Sequence, residues 1–140
     1  MTQMATARYC VWLLALLLIP ASTAGQRRLH YEPEEITLTG RVVYRTFYAP
    51  PNYGQTPKTD SRETQAILIL DAAIDVVGTA ENQLSETERG VKRITLVHDL
   101  SLRHFVGKRV VVQGTLFHAH TGHHHTKVLM QISSIKIKER

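Results

Sequence analysis

Cysteine is nearly missing from this chain. Cys10 is the only one, and it precedes an apolar run near the N-terminus, so no disulfide supports the region that reads as a folded domain. Nor does it stand where a lipidated cysteine follows a signal. No apolar run approaches the roughly 20 residues that span a bilayer as a helix. Aromatics make up 6% of the chain and there is no internal repeat. No nucleophile motif, paired acidic dyad or phosphate-cradling glycine loop occurs, which weighs against an enzyme. A concentrated basic stripe, the usual mark of a nucleic-acid reader, is also missing. Beyond Arg8, the other 16 of the 17 Lys and Arg face 12 Asp and Glu, a mildly basic balance of +4 with its charges scattered.

Residues 1–24 carry the layout of a secretory signal peptide. Arg8 precedes the apolar stretch Val11 to Ile19, Pro20 breaks it, and Ser22-Thr23-Ala24 supplies small residues for cleavage before Gly25. The expectation is export to the periplasm or beyond, with no membrane span after cleavage. Residues 25–140 are then enough for one domain with a modest apolar core.

The polar stretch 25–35 reads as a lead-in, and 36–140 as the domain. Ile36, Leu38, Val42 and Tyr44 alternate with Thr37, Thr39 and Arg41, as a half-buried strand requires. Gly40 inside it suggests a bulge or sharp bend. Residues 49–63 hold three prolines and a glycine and form a long loop. Further strands are expected at Gln65 to Val77, bending near Asp71-Ala72-Ala73, then at Val91 to His98, Lys108 to Phe117 and Lys127 to Lys138, with Ser133-Ser134 at a bulge. Asp99 to Gly107 suits a short helix with Leu102, Phe105 and Val106 packed inward and Gly107 ending it. Five strands, one short helix between the third and fourth, and glycines inside the first and fourth point to an all-β, OB-like Greek-key barrel, with a β-sandwich as the alternative.

What the chain has in abundance is histidine in one place. Five of its eight histidines fall between His118 and His125. Imidazole is the commonest transition-metal ligand and the side chain that titrates near neutral pH. In an OB-like barrel this run is the loop between the fourth and fifth strands, beside the proline-rich loop between the first and second, and both border the usual binding face. Strand parity continues Val110, Val112 and Leu116 to His118 and His120, aiming both at the barrel mouth. Gly122 permits a tight turn, after which His123 and His125 are paired and His124 is the dispensable one. His118, His120, His123 and His125 are the candidate ligands for Zn²⁺, Cu²⁺ or Ni²⁺, with Asp60 from the facing loop as a possible addition. The competing reading is a polar hairpin whose histidines bond to backbone carbonyls and to the first loop.

The stretch Ala119-His120-Thr121-Gly122-His123-His124-His125-Thr126, with Val128-Leu129, closely resembles the signature of a family of small secreted bacterial proteins known as a domain of unknown function. The likeness extends through Val106-Gly107-Lys108-Arg109-Val110 and Gly114-Thr115-Leu116-Phe117, and through Pro50-Pro51-Asn52-Tyr53-Gly54, Pro57, Asp60 and Leu70-Asp71. It implies export, and it groups Asn52, Tyr53, Asp60, Thr121 and Thr126 with the histidines as candidate ligand-binding residues. Tyr53 either closes over the histidines or anchors its loop on the barrel rim.

The expected function is a periplasmic binding module for a small ligand, a metal or a protein partner. Two other classes stand beside it: an inhibitor or immunity-type protein directed at an exported partner, and a metal- or histidine-dependent hydrolase. Nucleic acid is disfavoured by the scattered charge and by export.

Overall fold

The alternation that begins at Ile36 sets the architecture. In a computed structural model of the chain, which describes residues 25–81 and 85–139, that alternation opens a 14-residue strand that is buried at every second residue from Ile36 to Val42. The signal peptide expected over 1–24 lies outside the described residues. The strands are β1 (Arg27–His30), β2 (Glu35–Tyr48), β3 (Arg62–Val77), β4 (Glu88–Val97), β5 (Arg109–His118) and β6 (Val128–Ile137). The chain is nearly all β.

Long strands shared between two partners close the sheet on itself. The first half of β2 pairs antiparallel with β5, from Glu35 opposite Thr115 to Arg41 opposite Arg109. Its second half pairs with β3, from Gly40 opposite Leu70 to Tyr48 opposite Arg62. The partners change at Gly40, where a Cβ would stand 2.3 Å from the Ile69 carbonyl oxygen. Only glycine lets the two backbones approach so closely, and this is the bend expected from sequence. Strand β3 also pairs with β4, with register shifts on either side of Ile74, where the Asp71-Ala72-Ala73 bend was expected. Strand β4 then runs parallel to β6 from Thr95 to Val97, and β6 pairs with β5. The circuit β2-β3-β4-β6-β5 returns to β2, so none of its strands is left as a free edge.

Inside sit Leu38, Val42, Leu68, Ile94, Val110, Val112, Leu116 and Met130, all buried in one cluster. Each such side chain contributes about 1.5–3 kcal/mol on leaving water. The β5–β6 ladder skips Ser133 between the pairs Gln113–Ser134 and Gly114–Ile132, which is the bulge expected at the serine pair.

Three expectations are corrected. The lead-in at 25–35 contains β1, which adds a sixth strand parallel to the end of β3. Its Leu29 and Tyr31 are buried in the common core, a packing signal too short to show periodicity. The helix expected at 99–107 is a single 3-10 turn, Arg103–Phe105. Leu102 is buried as expected, but Val106 is largely exposed. The chain is already extended there, because Val106 bridges Val42 and Gly107 turns it with φ 75°.

Candidate functional site

The histidine run is the loop joining β5 and β6, closed at its base by the Ala119 N–H donating to the Lys127 carbonyl at 2.8 Å. Three ties fix it to the barrel. The Thr126 hydroxyl accepts from the Thr95 N–H at 3.0 Å and donates to the Val128 carbonyl at 2.8 Å. Gln65 donates to the His123 carbonyl at 2.6 Å. The Glu63 carboxylate accepts from His123 Nδ1 at 2.9 Å and His125 Nε2 at 2.5 Å. Beneath these ties Ile67 and Thr95 are buried. The ring of His125 also stacks on Phe47, which stands opposite Glu63 in the ladder, with centroids 4.2 Å apart and planes 5° from parallel.

The five histidines divide into three neighbourhoods. His118 continues the inward face of β5, as parity requires. Its Nε2 lies 3.2 Å from Glu88 and its Nδ1 2.9 Å from the Ala119 carbonyl, so both ring nitrogens face oxygen acceptors. His120 departs from the expected direction. The strand ends at His118, parity no longer governs the chain, and His120 turns to the Phe117 side, where it meets the His124 ring edge-on at 4.6 Å. His120 donates from Nδ1 to the His118 carbonyl, while its own N–H donates to His124 Nδ1 at 3.0 Å. His124, expected to be dispensable, therefore closes the turn. His123 and His125 are paired as expected, through Glu63. The four candidate ligands are not brought around one point.

Charge and burial act in opposition at the acids. Burial pushes the Glu88 carboxyl up, but the hydrogen bonds from Lys127 and His118 outweigh it and hold it below its ordinary 4.5. Glu63 behaves alike: burial raises it, and the two imidazoles pull it below 4.5. His124 is held below the ordinary 6.5 by burial first and then by repulsion from His120, His123 and His125. Among the described residues, the one group of three potential metal-ligating side chains with donor atoms within 4.8 Å is Glu86, Glu88 and His118. There the Glu88 oxygens already serve Lys127 and His118.

Tyr53 brings the proline-rich loop against the hairpin tip. Tyr53 has φ 48°, in the left-handed region, and its ring lies against Gly122 so closely that a Cβ there would stand 2.0 Å from the phenol oxygen. Asn52 and Asp60 are spent within their own loop. Asp60 accepts from Asn52 Nδ2, from the N–H groups of Gly54 and Thr56 and from the Thr56 hydroxyl, and the last of these is the leading cause of its lowered pKa. Thr121 is exposed at the tip, and its carbonyl accepts from the His124 N–H. Sequence reasoning missed Glu63 and Glu88. Nothing local marks either acid, and each gains its partner across roughly 30 or 60 positions of chain.

The comparisons with known proteins bear on the same hairpin. No curated protein and no solved structure matches the chain. Residues 96–136 match a family described as Domain of unknown function (DUF4431). That stretch runs from the end of β4 almost to the end of β6 and contains all five clustered histidines, but not Tyr53, Glu63 or Glu88.

Proposed function

We propose that the chain is an exported, periplasmic binding module built on an OB-type barrel, with its binding face between β4 and the hairpin 119–127. The strand circuit supports this reading. Strands β2, β3 and β4 form a meander, β5 returns to pair with β2, and β6 runs antiparallel to β5 and parallel to β4. Such barrels bind along their second and third strands and the two flanking loops. The observation that carries the proposal is a groove of about 520 Å³ on that face, with Phe47, Ile67, Val91, His125 and Thr126 among its walls. Its volume falls within the range of small-molecule sites. The hairpin beside it is held by three independent ties, so little ordering cost remains at the moment of binding.

One observation favours a metal as a second reading. A carboxylate that accepts from an imidazole orients the ring's other nitrogen for a metal ion. Glu63 does this twice, leaving His123 Nε2 and His125 Nδ1 without a hydrogen bond among the described residues, so a bound Zn²⁺, Cu²⁺ or Ni²⁺ belongs on this pair of rings.

The test is a titration of isotope-labelled chain, purified without a histidine tag, with Zn²⁺ or Ni²⁺ and separately with inorganic polyphosphate. Amide shifts are followed by NMR. Shifts confined to β4 and the hairpin are expected for at least one probe. Shifts confined to a second groove, around Arg27, Thr37 and Ala72, would sink the proposal. Export is tested by fractionation, the expected result being a periplasmic chain that begins at Gly25.

A further inference from the structure

The charges that look scattered along the chain gather on the same face. Arg45 from β2, Arg89, Lys92 and Arg93 from β4, and Lys127 from the hairpin all line the groove. Lys127 is neutralised by Glu88 at 3.0 Å. Arg45, Arg89, Lys92 and Arg93 make no ion pair among the described residues. Glu88 is the one acid lining the groove, and Lys127 and His118 occupy it, so the other four cations stand together as like charges whose field is focused in a concave wall. Ordinary surface design intersperses both signs.

We infer that this groove binds a linear polyanion through its phosphate groups alone, without stacking bases, since Phe47 is already stacked by His125. The inference rests on reading this face as the binding surface and adds the ligand's chemistry. Arg89 to Arg93 extends over up to about 13 Å of strand, at roughly 3.3 Å per residue. That is more than one phosphate occupies, so several anionic groups in a row are required. Three of the five cations are arginines, whose planar fork pairs with phosphate through two parallel hydrogen bonds. The groove is too small to be the whole of a stable protein interface, which buries about 1,200–2,000 Å². A flexible chain that lays successive phosphates along β4 fits it.

Inorganic polyphosphate is the probe, and binding is measured by calorimetry over a series of salt concentrations. With four unpaired cations, log K is expected to fall against log salt with a slope of about −3, by counterion release. Arg93→Glu is expected to weaken binding at least about tenfold and to flatten the slope by about one or more. Lys136→Glu makes the same charge change at the far end of β6 and should weaken binding less than about threefold. Equal losses in the two variants would overturn the inference, as generalised charge attraction. Binding of poly-glutamate as tight as polyphosphate at equal charge would overturn it in favour of an acidic protein segment. Clear preference for single-stranded DNA over polyphosphate would overturn it in favour of a base-stacking site. If polyphosphate fails while Zn²⁺ or Ni²⁺ still shifts the hairpin amides, the binding-face reading stands and only the ligand class falls.

Discussion

Removing Glu63 tests what holds the hairpin in place. Its two oxygens reach two imidazoles, at 2.5 Å to His125 and 2.9 Å to His123. The contacts are unequal in worth. The His123 side chain is 59% exposed, so solvent screens that pair to about 0.5 kcal/mol. The His125 side chain is 15% exposed against 24% for Glu63, and a hydrogen bond to a charged group in such surroundings contributes about 1.5 kcal/mol. Glu63→Ala should therefore cost about 2 kcal/mol in all. Glu63→Gln keeps one acceptor, loses the charge and should cost about 1 kcal/mol. For a domain just above 100 residues, this lowers the melting temperature by roughly 8 °C and 4 °C respectively. Calorimetry at neutral pH measures both, and amide exchange at His125 and Thr126 should accelerate with them. The sign of the pH dependence follows from the lowered carboxyl of Glu63. Its stabilisation is present above the ordinary 4.5 and is lost as pH falls through the lower folded value, so the difference between wild type and Glu63→Ala should close below pH 4.5. Variants that melt with the wild type at neutral pH would refute the assignment of Glu63 as the tie. So would a difference that persists unchanged in acid.

Two more perturbations probe the β5–β6 pair and the hairpin that joins it. At Gly114 a Cβ would stand 2.0 Å from the Gln131 carbonyl oxygen, so Gly114→Ala must part β5 from β6 and should cost about 3 kcal/mol, read as a lower urea midpoint. His124 has its pKa lowered by burial and by its histidine neighbours, so below 6.5 the unfolded chain holds more protons than the folded one and stability falls with pH until the lower folded value is passed. His124→Gln should flatten that part of the profile in a series of melts spanning about two pH units around 6.5, and an unchanged slope would place the titration elsewhere.

Strand positions were readable because period-two alternation is a local property. Ile36, Leu38 and Val42, and later Val110, Val112 and Leu116, declare their face within a few residues, and all six are buried. Gly40 and the Ser133 bulge were readable because close backbone approach and ladder slips carry residue signatures. The strand β1 was not, since four residues carry too little alternation to stand out from a polar lead-in. In the site, His123 and His125 meet on Glu63, which no spacing announces, and His120 leaves the expected direction because parity lapses where the strand ends. The groove was wholly hidden: Arg45 and Arg89 are 44 positions apart in the chain, and only closure of the barrel brings them to one wall. Scattered charge in a sequence is therefore weak grounds for expecting scattered charge on a surface.

The hydrogen-bond ledger of the imidazoles decides what the hairpin can do. His118 has both ring nitrogens committed. His120 and His123 have Nδ1 committed, His124 has Nδ1 committed as an acceptor, and His125 has Nε2 committed. The remaining nitrogens belong to two separate pairs of rings, His120 with His124 beside Phe117 and His123 with His125 around Glu63. A structural zinc site takes four protein ligands and a catalytic one usually three. Either pair alone falls short, so any metal held here is bound weakly and with solvent completing its shell. The bond to His124 is different in kind. It requires a lone pair on Nδ1, which a protonated ring does not offer, so acidification breaks the turn that sets the hairpin's tip. That tip lies against Tyr53, and the chain runs on from it to His125 and Lys127 in the groove. The histidine run therefore reads better as a pH-sensitive turn than as a metal centre of its own.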